Sequence, residues 1–187
     1  ASAARLTLIQ AGLSDIRENA SEVLATLIAL PPGSQAANLM DLEGNAALDR
    51  LADRLNASDG GSFIFAGINT GEAPFTRYED GPQAAVEAAF LTKFGVAVGD
   101  PGAAAITTAD MADFLANEFA TLFDDPSWTT DWSGASSTDL ESRIALSERA
   151  VTGTNANEAA IRITTEGMTM LAGLGLAALN EETRQVV

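Results

Sequence analysis

The chain has 187 residues, of which 47% are hydrophobic and only 6% aromatic, and its formal net charge is −16. Such an acidic surface repels phosphate backbones and anionic lipid, so we expect neither nucleic acid nor membrane as a partner. The chain lacks Cys and His, which excludes disulfides, thiolate chemistry, Zn–Cys sites and His-based acid–base catalysis. The length allows one domain, or one domain with a small insert, and the alanine-rich apolar content favours a helical bundle.

The first thirty residues carry apolar side chains at strictly alternating steps of three and four. These are Leu6, Ile9, Leu13, Ile16, Ala20, Val23, Leu27 and Leu30. The spacing is that of a coiled-coil seam rather than of a generic amphipathic helix. We predict a long helix from about Ala3 to Leu30, ended by Pro31-Pro32-Gly33.

The end of the chain repeats this spacing. Its members are Ala156, Ala160, Ile163, Gly167, Met170, Leu174 and Ala177. Neither outer end carries a helix stop signal, so both helices are expected to be pieces of longer ones that pack side by side. The predicted seam consists of Leu6, Ile9, Leu13, Ile16, Val23, Leu27, Ile163, Met170 and Leu174.

The middle of the chain mixes helical and β-type segments. Ser34 is predicted to cap a second helix that runs to about Ala57, with an apolar face of Leu39, Leu42, Leu48, Leu51 and Leu55. Further predictions are a β-type run at 62–67, helices at 83–94 and 109–123, a strand at 95–99 and a hairpin arm at 140–150. The predicted fold is mainly α with a small α+β insert: an elongated bundle of long coiled-coil helices from both chain ends (1–62 and 151–187) around an insert (63–150).

Few residue groups suggest chemistry. Asp124, Asp125 and Asp131 could ligate Ca²⁺, although they lack the spacing of an EF-hand loop. The Asp59–Ser62 stretch could pass for a phosphate loop, but no Lys stands near it. No Gly-x-Ser-x-Gly elbow is present. We therefore predict no enzyme activity, no catalytic residues, no cofactor and no metal site.

The segment from Leu48 to Phe75 resembles the FlgL family, hook-associated protein 3 of the bacterial flagellum. In that family a long helix ends in a Leu-Ala pair followed by glycine, an aromatic element and a closing Pro-Phe pair. Leu51-Ala52 and Gly60-Gly61 match the first part. The remaining matched residues are Phe63, Phe65, Gly67, Pro74 and Phe75.

Two later segments extend the resemblance. Asn155–Glu158 is similar to the family's return into its C-terminal rod, and Trp128–Ser137 to a variant found in alphaproteobacteria. Tyr78–Gly81 keeps only loosely the order of the family's acidic segment. We expect the outermost segments, which form the inner tube in the family, to lie outside this chain.

The resemblance implies a structural protein without catalytic residues. FlgL joins the hook-associated protein FlgK to the flagellin filament as a ring of self-associated protomers. It is exported by the flagellar type III apparatus, with an export chaperone, and is extracellular. Flagellin itself, the filament subunit, is an alternative, although the Phe63–Phe75 element favours FlgL. An acidic secreted metal-binding or hydrolytic domain is a further alternative.

Overall fold

The computed structural model describes residues 2–30, 33–145 and 148–187, and over this part the chain is mainly helical with two small antiparallel sheets. The helices are α1 (Ser2–Ala29), α2 (Ser34–Leu55), α3 (Pro82–Phe94), α4 (Thr108–Phe114), α5 (Ala159–Gly173) and α6 (Glu181–Arg184). The strands are β1 (Ser58–Asp59), β2 (Ser62–Phe63), β3 (Glu141–Ala145) and β4 (Glu148–Val151). None of the described helices combines the length and the apolar character that a membrane span needs.

The central helix of the bundle is α2, because both α1 and α5 pack on it while α1 and α5 make little direct contact. The crossing with α5 is close at Gly44, where a Cβ atom would lie 2.7 Å from the backbone nitrogen of Ala172. The expectation that the first and last heptad helices pack side by side is therefore wrong. The second helix separates them.

The face that α1 presents to α2 includes one buried polar residue, Asn19. Its Nδ2 donates to the carbonyl of Ala47 at 2.9 Å, and its Oδ1 accepts from Nε of Arg50 at 2.7 Å. A buried asparagine whose partners lie on the facing helix fixes the register of a helix pair. The sequence predicts Ser34 as the cap of α2, but it is the first residue of the helix and Gly33 holds the N-cap position. Pro31 and Pro32 lie outside the described residues.

The C-terminal helix is shorter than its heptad spacing predicts. It ends at Gly173, and Gly175 takes a left-handed conformation with φ 59°. A Cβ atom on Gly175 would lie 2.7 Å from the backbone nitrogen of Gly99, so this turn requires glycine. A 3₁₀ turn (Leu176–Ala178) and α6, capped by Asn180, follow. The heptad prediction of one continuous helix through Ala177 is therefore wrong.

The insert also differs in places from the predictions. The 95–99 strand is absent, because Gly95 caps α3 in the left-handed conformation and Gly99 turns the chain again. The predicted 109–123 helix is continuous in course but changes type, from α4 through a π-helical turn at Leu115–Phe119 to a 3₁₀ turn. The 140–150 segment is predicted as one arm of a hairpin, but it holds β3 and most of β4, so it forms both arms. Residues 146–147 lie outside the described part.

Candidate functional site

Three segments that are distant in sequence meet where the insert joins the helical bundle. They are 63–75, 128–137 and 155–158, the same segments that carry most of the sequence resemblance. Their core is a cluster of buried rings, in which Phe75 lies 6.0 Å from Trp128 and 5.8 Å from Trp132 between ring centroids. The two indoles stack at 5.9 Å. We call this arrangement the aromatic junction.

The polar centre of the aromatic junction is Asn157. Its Oδ1 accepts from Nε1 of Trp128 at 2.9 Å and from the hydroxyl of Ser133 at 2.6 Å. Its Nδ2 donates to the carbonyl of Ala135 and to the hydroxyl of Ser137, both at 3.0 Å. Both donor positions and both acceptor positions of the amide are thus occupied, which fixes its orientation.

The Pro74-Phe75 pair is held from both sides. The Asn56 side chain accepts from the Phe75 backbone N–H at 3.0 Å and donates to the Phe75 carbonyl at 2.9 Å. The Ser133 hydroxyl, whose single proton also faces Oδ1 of Asn157, lies 3.2 Å from the Pro74 carbonyl oxygen. These bonds place the Phe75 ring against the indoles and leave the backbone of this irregular segment paired.

The backbone at Gly67 runs too close to its neighbours for any side chain. Its φ is 59°, and a Cβ atom would collide with the carbonyl oxygens of Ser136 and Thr138. The segments on either side are joined by two backbone hydrogen bonds. The Ser136 N–H donates to the Ala66 carbonyl and the Ile68 N–H to the Thr138 carbonyl, both at 3.0 Å. The aromatic junction therefore requires glycine at position 67 for steric reasons, in addition to its match to the family motif.

The aromatic junction is tied to α1 by two contacts. A Cβ atom on Gly12 would lie 2.8 Å from Cζ of Phe65, so the ring packs directly on the helix backbone. Nη2 of Arg5 donates to the carbonyls of Phe63 at 2.9 Å and Ile64 at 3.2 Å. Phe63 itself is partly buried at the end of β2. The motif segment thus couples the insert to the first helix.

Sequence reasoning missed Arg162, which closes the aromatic junction on the α5 side. Its guanidinium carbon lies 5.2 Å from the ring centroid of Trp128, a cation–π distance. Its side chain also donates to the Asn157 carbonyl at 3.1 Å and pairs with Asp125 at 3.2 Å. A single arginine on a helix has no pattern that would reveal these partners.

The predicted seam divides into two sets. Ile9, Ile16 and Val23 are buried, Leu27 and Met170 are partly buried, and Leu174 is buried just beyond the end of α5. By contrast Leu6 is 42% exposed, Leu13 41% and Ile163 67%. On α2, Leu39 and Leu42 of the predicted apolar face are also exposed, while Leu48, Leu51 and Leu55 are buried.

Of the exposed seam residues, Ile163 lines an open groove between α1 and α5, with a volume of about 320 Å³. Its lining includes Ala20, Leu24, Leu27, Ile163, Gly167 and Met170. We call it the α1–α5 groove. It exists because both helices pack on α2 and leave the space between them uncovered.

The acidic residues do not form a metal centre over the described ranges, where no group of three or more His, Cys, Asp or Glu residues is placed to hold an ion. Asp125 instead pairs with Arg162. Burial, and then the charge of Asp124, raise the pKa of Glu166. The Asp59–Ser62 stretch is the turn of the β1–β2 hairpin, with Gly60 and Gly61 at positive φ.

No family model matches the chain, and neither a curated protein nor a solved structure is found that is similar to it.

Proposed function

We propose that the chain is a structural protein of the bacterial flagellum that joins the hook-associated protein FlgK to flagellin at the hook–filament junction. One observation carries the proposal. The three segments that resemble the FlgL family interlock in the aromatic junction although up to about ninety residues separate them. Gly67 and Asn157 both contact the 135–138 segment, and Phe75 packs on Trp128, whose indole N–H donates to Asn157.

The α1–α5 groove supports the proposed assembly. Soluble monomers rarely leave large contiguous apolar patches uncovered, yet Leu24 is 58% and Ile163 67% exposed. We propose that helices of neighbouring subunits cover this surface in an elongated axial rod and that copies of the chain form a ring. Export through the type III apparatus with a chaperone, and an extracellular location, belong to the same proposal. The protein then has no catalytic role and needs no cofactor.

Flagellin is the second candidate, since an exposed heptad flank on α1 suits a filament subunit equally well. The two roles differ in what deletion of the gene does. Loss of a junction protein leaves hooks assembled while the strain's flagellin is secreted as monomer into the medium. Loss of the filament subunit itself leaves hooks and junction proteins in place and no leaked flagellin.

The deciding experiment is therefore a gene deletion, examined by electron microscopy of the cells and immunoblotting of the culture medium for flagellin. We expect bare hooks and abundant monomeric flagellin, both reversed by the gene in trans. Normal filaments in the deletion strain would refute the junction role.

A further inference from the structure

A buried carboxylate oxygen marks the contact between α2 and the end of the chain. Oδ1 of Asp41 is out of contact with solvent and has no hydrogen-bond partner. The residue lies on the part of α2 against which the Leu176–Ala178 turn packs, and the Leu176 backbone N–H is close enough to lower its pKa. An ionised oxygen without a donor in such a position costs free energy, and protonation removes that cost.

The segment held at this contact, 174–184, follows the end of α5 and packs its apolar side chains into the main core. Leu174, Leu176 and Leu179 bury its apolar side. Asn180 donates to the carbonyls of Ala104 and Ile106 at 3.0 and 2.9 Å. The left-handed glycine turn at 175 joins this segment to α5. We call the segment the C-terminal latch.

The charged groups around Asp41 do not compensate its charge. Glu43 lies two residues further along α2 and pairs with Arg50 at 2.6 Å. Arg184 on α6 donates to the Leu179 carbonyl at 2.8 Å instead. Among the described residues, burial raises the pKa of Asp41 to about 6, and the Leu176 N–H opposes this rise.

We propose that Asp41 makes the C-terminal latch sensitive to pH, so that ionisation of this carboxyl weakens the docking of 174–184 on α2 and protonation strengthens it. The proposal is independent of the flagellar assignment. A carboxyl whose pKa is higher in the docked state binds its proton more tightly there. Docking is therefore strongest near pH 4, weakens as the pH rises to about 6, and is constant above about pH 7.

Hydrogen exchange measured by mass spectrometry on the full chain tests this. The reporters are the protected amides of Ala178, Leu179 and Arg184, with rates corrected for the intrinsic pH dependence of exchange. We expect the opening equilibrium of the latch to be about three- to tenfold larger at pH 8 than at pH 5, less than the full shift allows because Asp41 is only partly buried. Asp41→Asn should keep the latch closed at both pH values.

Two control variants separate the latch from general charge effects. Glu182→Gln removes an exposed carboxylate from α6 and should leave the wild-type pH dependence unchanged. Glu166→Gln removes a carboxyl with a raised pKa on α5 and should not alter the pH dependence of the latch amides. Wild-type exchange without pH dependence, or an Asp41→Asn variant that keeps it, would overturn the proposal.

If the Asp41→Asn variant does not fold, a second measurement on the wild-type protein still tests the proposal. The Asp41 carboxyl carbon of the wild-type protein can be titrated by NMR. A midpoint near 6 supports the latch, and a midpoint near the ordinary 3.8 contradicts it.

Discussion

The aromatic junction and helix α1 differ in how far their apolar side chains are buried. In the junction, Phe65, Phe75, Trp128 and Trp132 are all at most 3% exposed, and the amide of Asn157 has a partner at every position. Along α1, one flank stays open, with Leu13 41% and Ile28 78% exposed. The junction is complete within one chain, whereas α1 carries more apolar surface than the chain itself buries.

The difference separates two sets of apolar residues by what they contact within the single chain. Side chains in the aromatic junction determine whether the insert folds against the bundle. Side chains on the open flank of α1 contribute little to the fold of a single chain and are available for contacts with other helices. Substitutions should therefore separate stability from assembly according to region.

The largest loss of stability is expected for Trp132→Ala. The indole is 1% exposed and contacts four other aromatic rings, those of Phe75, Tyr78, Phe123 and Trp128. Removing it should cost about 3–5 kcal/mol of unfolding free energy, measured by urea denaturation. Trp132→Phe keeps part of the packing and should cost less. Equal stability of the alanine variant and the wild type would contradict the described core.

The next effect compares Ile16→Asp with Leu13→Asp on α1. The heptad spacing alone predicts that both carboxylates would be buried and would unfold the rod. In the structure Ile16 is 5% and Leu13 41% exposed, so only the first should cost several kcal/mol. Leu13→Asp should lower the unfolding free energy of the single chain by about 1 kcal/mol or less. Circular dichroism melts of the two variants measure this difference. Equal destabilisation would mean that both positions are buried, as the heptad spacing alone predicts.

A smaller pair of opposite effects is expected at two glycines in helix interiors. Gly44→Ala on α2 would push a Cβ atom to within 2.7 Å of the α5 backbone, so it should destabilise the protein by about 1–3 kcal/mol. Gly167→Ala on α5 meets nothing within 4 Å and should stabilise it by about 1 kcal/mol, because alanine favours the helix. Thermal denaturation of both variants tests the sign. A stabilising Gly44→Ala would mean that α2 and α5 do not cross there.

Local sequence signals were sufficient for much of the fold. The heptad spacing and the Pro-Pro-Gly stop predicted α1, and the turn at 56–61 predicted the end of α2 to within two residues. The Asp80-Gly81-Pro82 turn placed the start of α3 to within one residue. These helices have boundaries set by the residues beside them.

The predictions from sequence were wrong where a contact between residues far apart in the chain determines the structure. The heptad spacing continues through Leu174 to Ala177, but the helix stops at Gly173 because the chain turns at Gly175 against Gly99. Of the site, Phe65, Gly67 and Phe75 were singled out by motif. The roles of Asn56 and Arg162 depend on partners far along the chain, and no local pattern encodes them.

The exposed flank of α1 is proposed to serve assembly, and the deletion strain tests this most directly. The strain is complemented with a flank variant that combines Leu13→Glu and Leu24→Glu. The matched control, Ala11→Glu with Ala25→Glu, adds the same charge at exposed positions elsewhere on α1. We expect both purified proteins to fold like the wild type. Only the control should restore filaments, while the flank variant leaves flagellin in the medium. Full restoration of filaments by a folded flank variant would contradict the claim that this surface serves assembly.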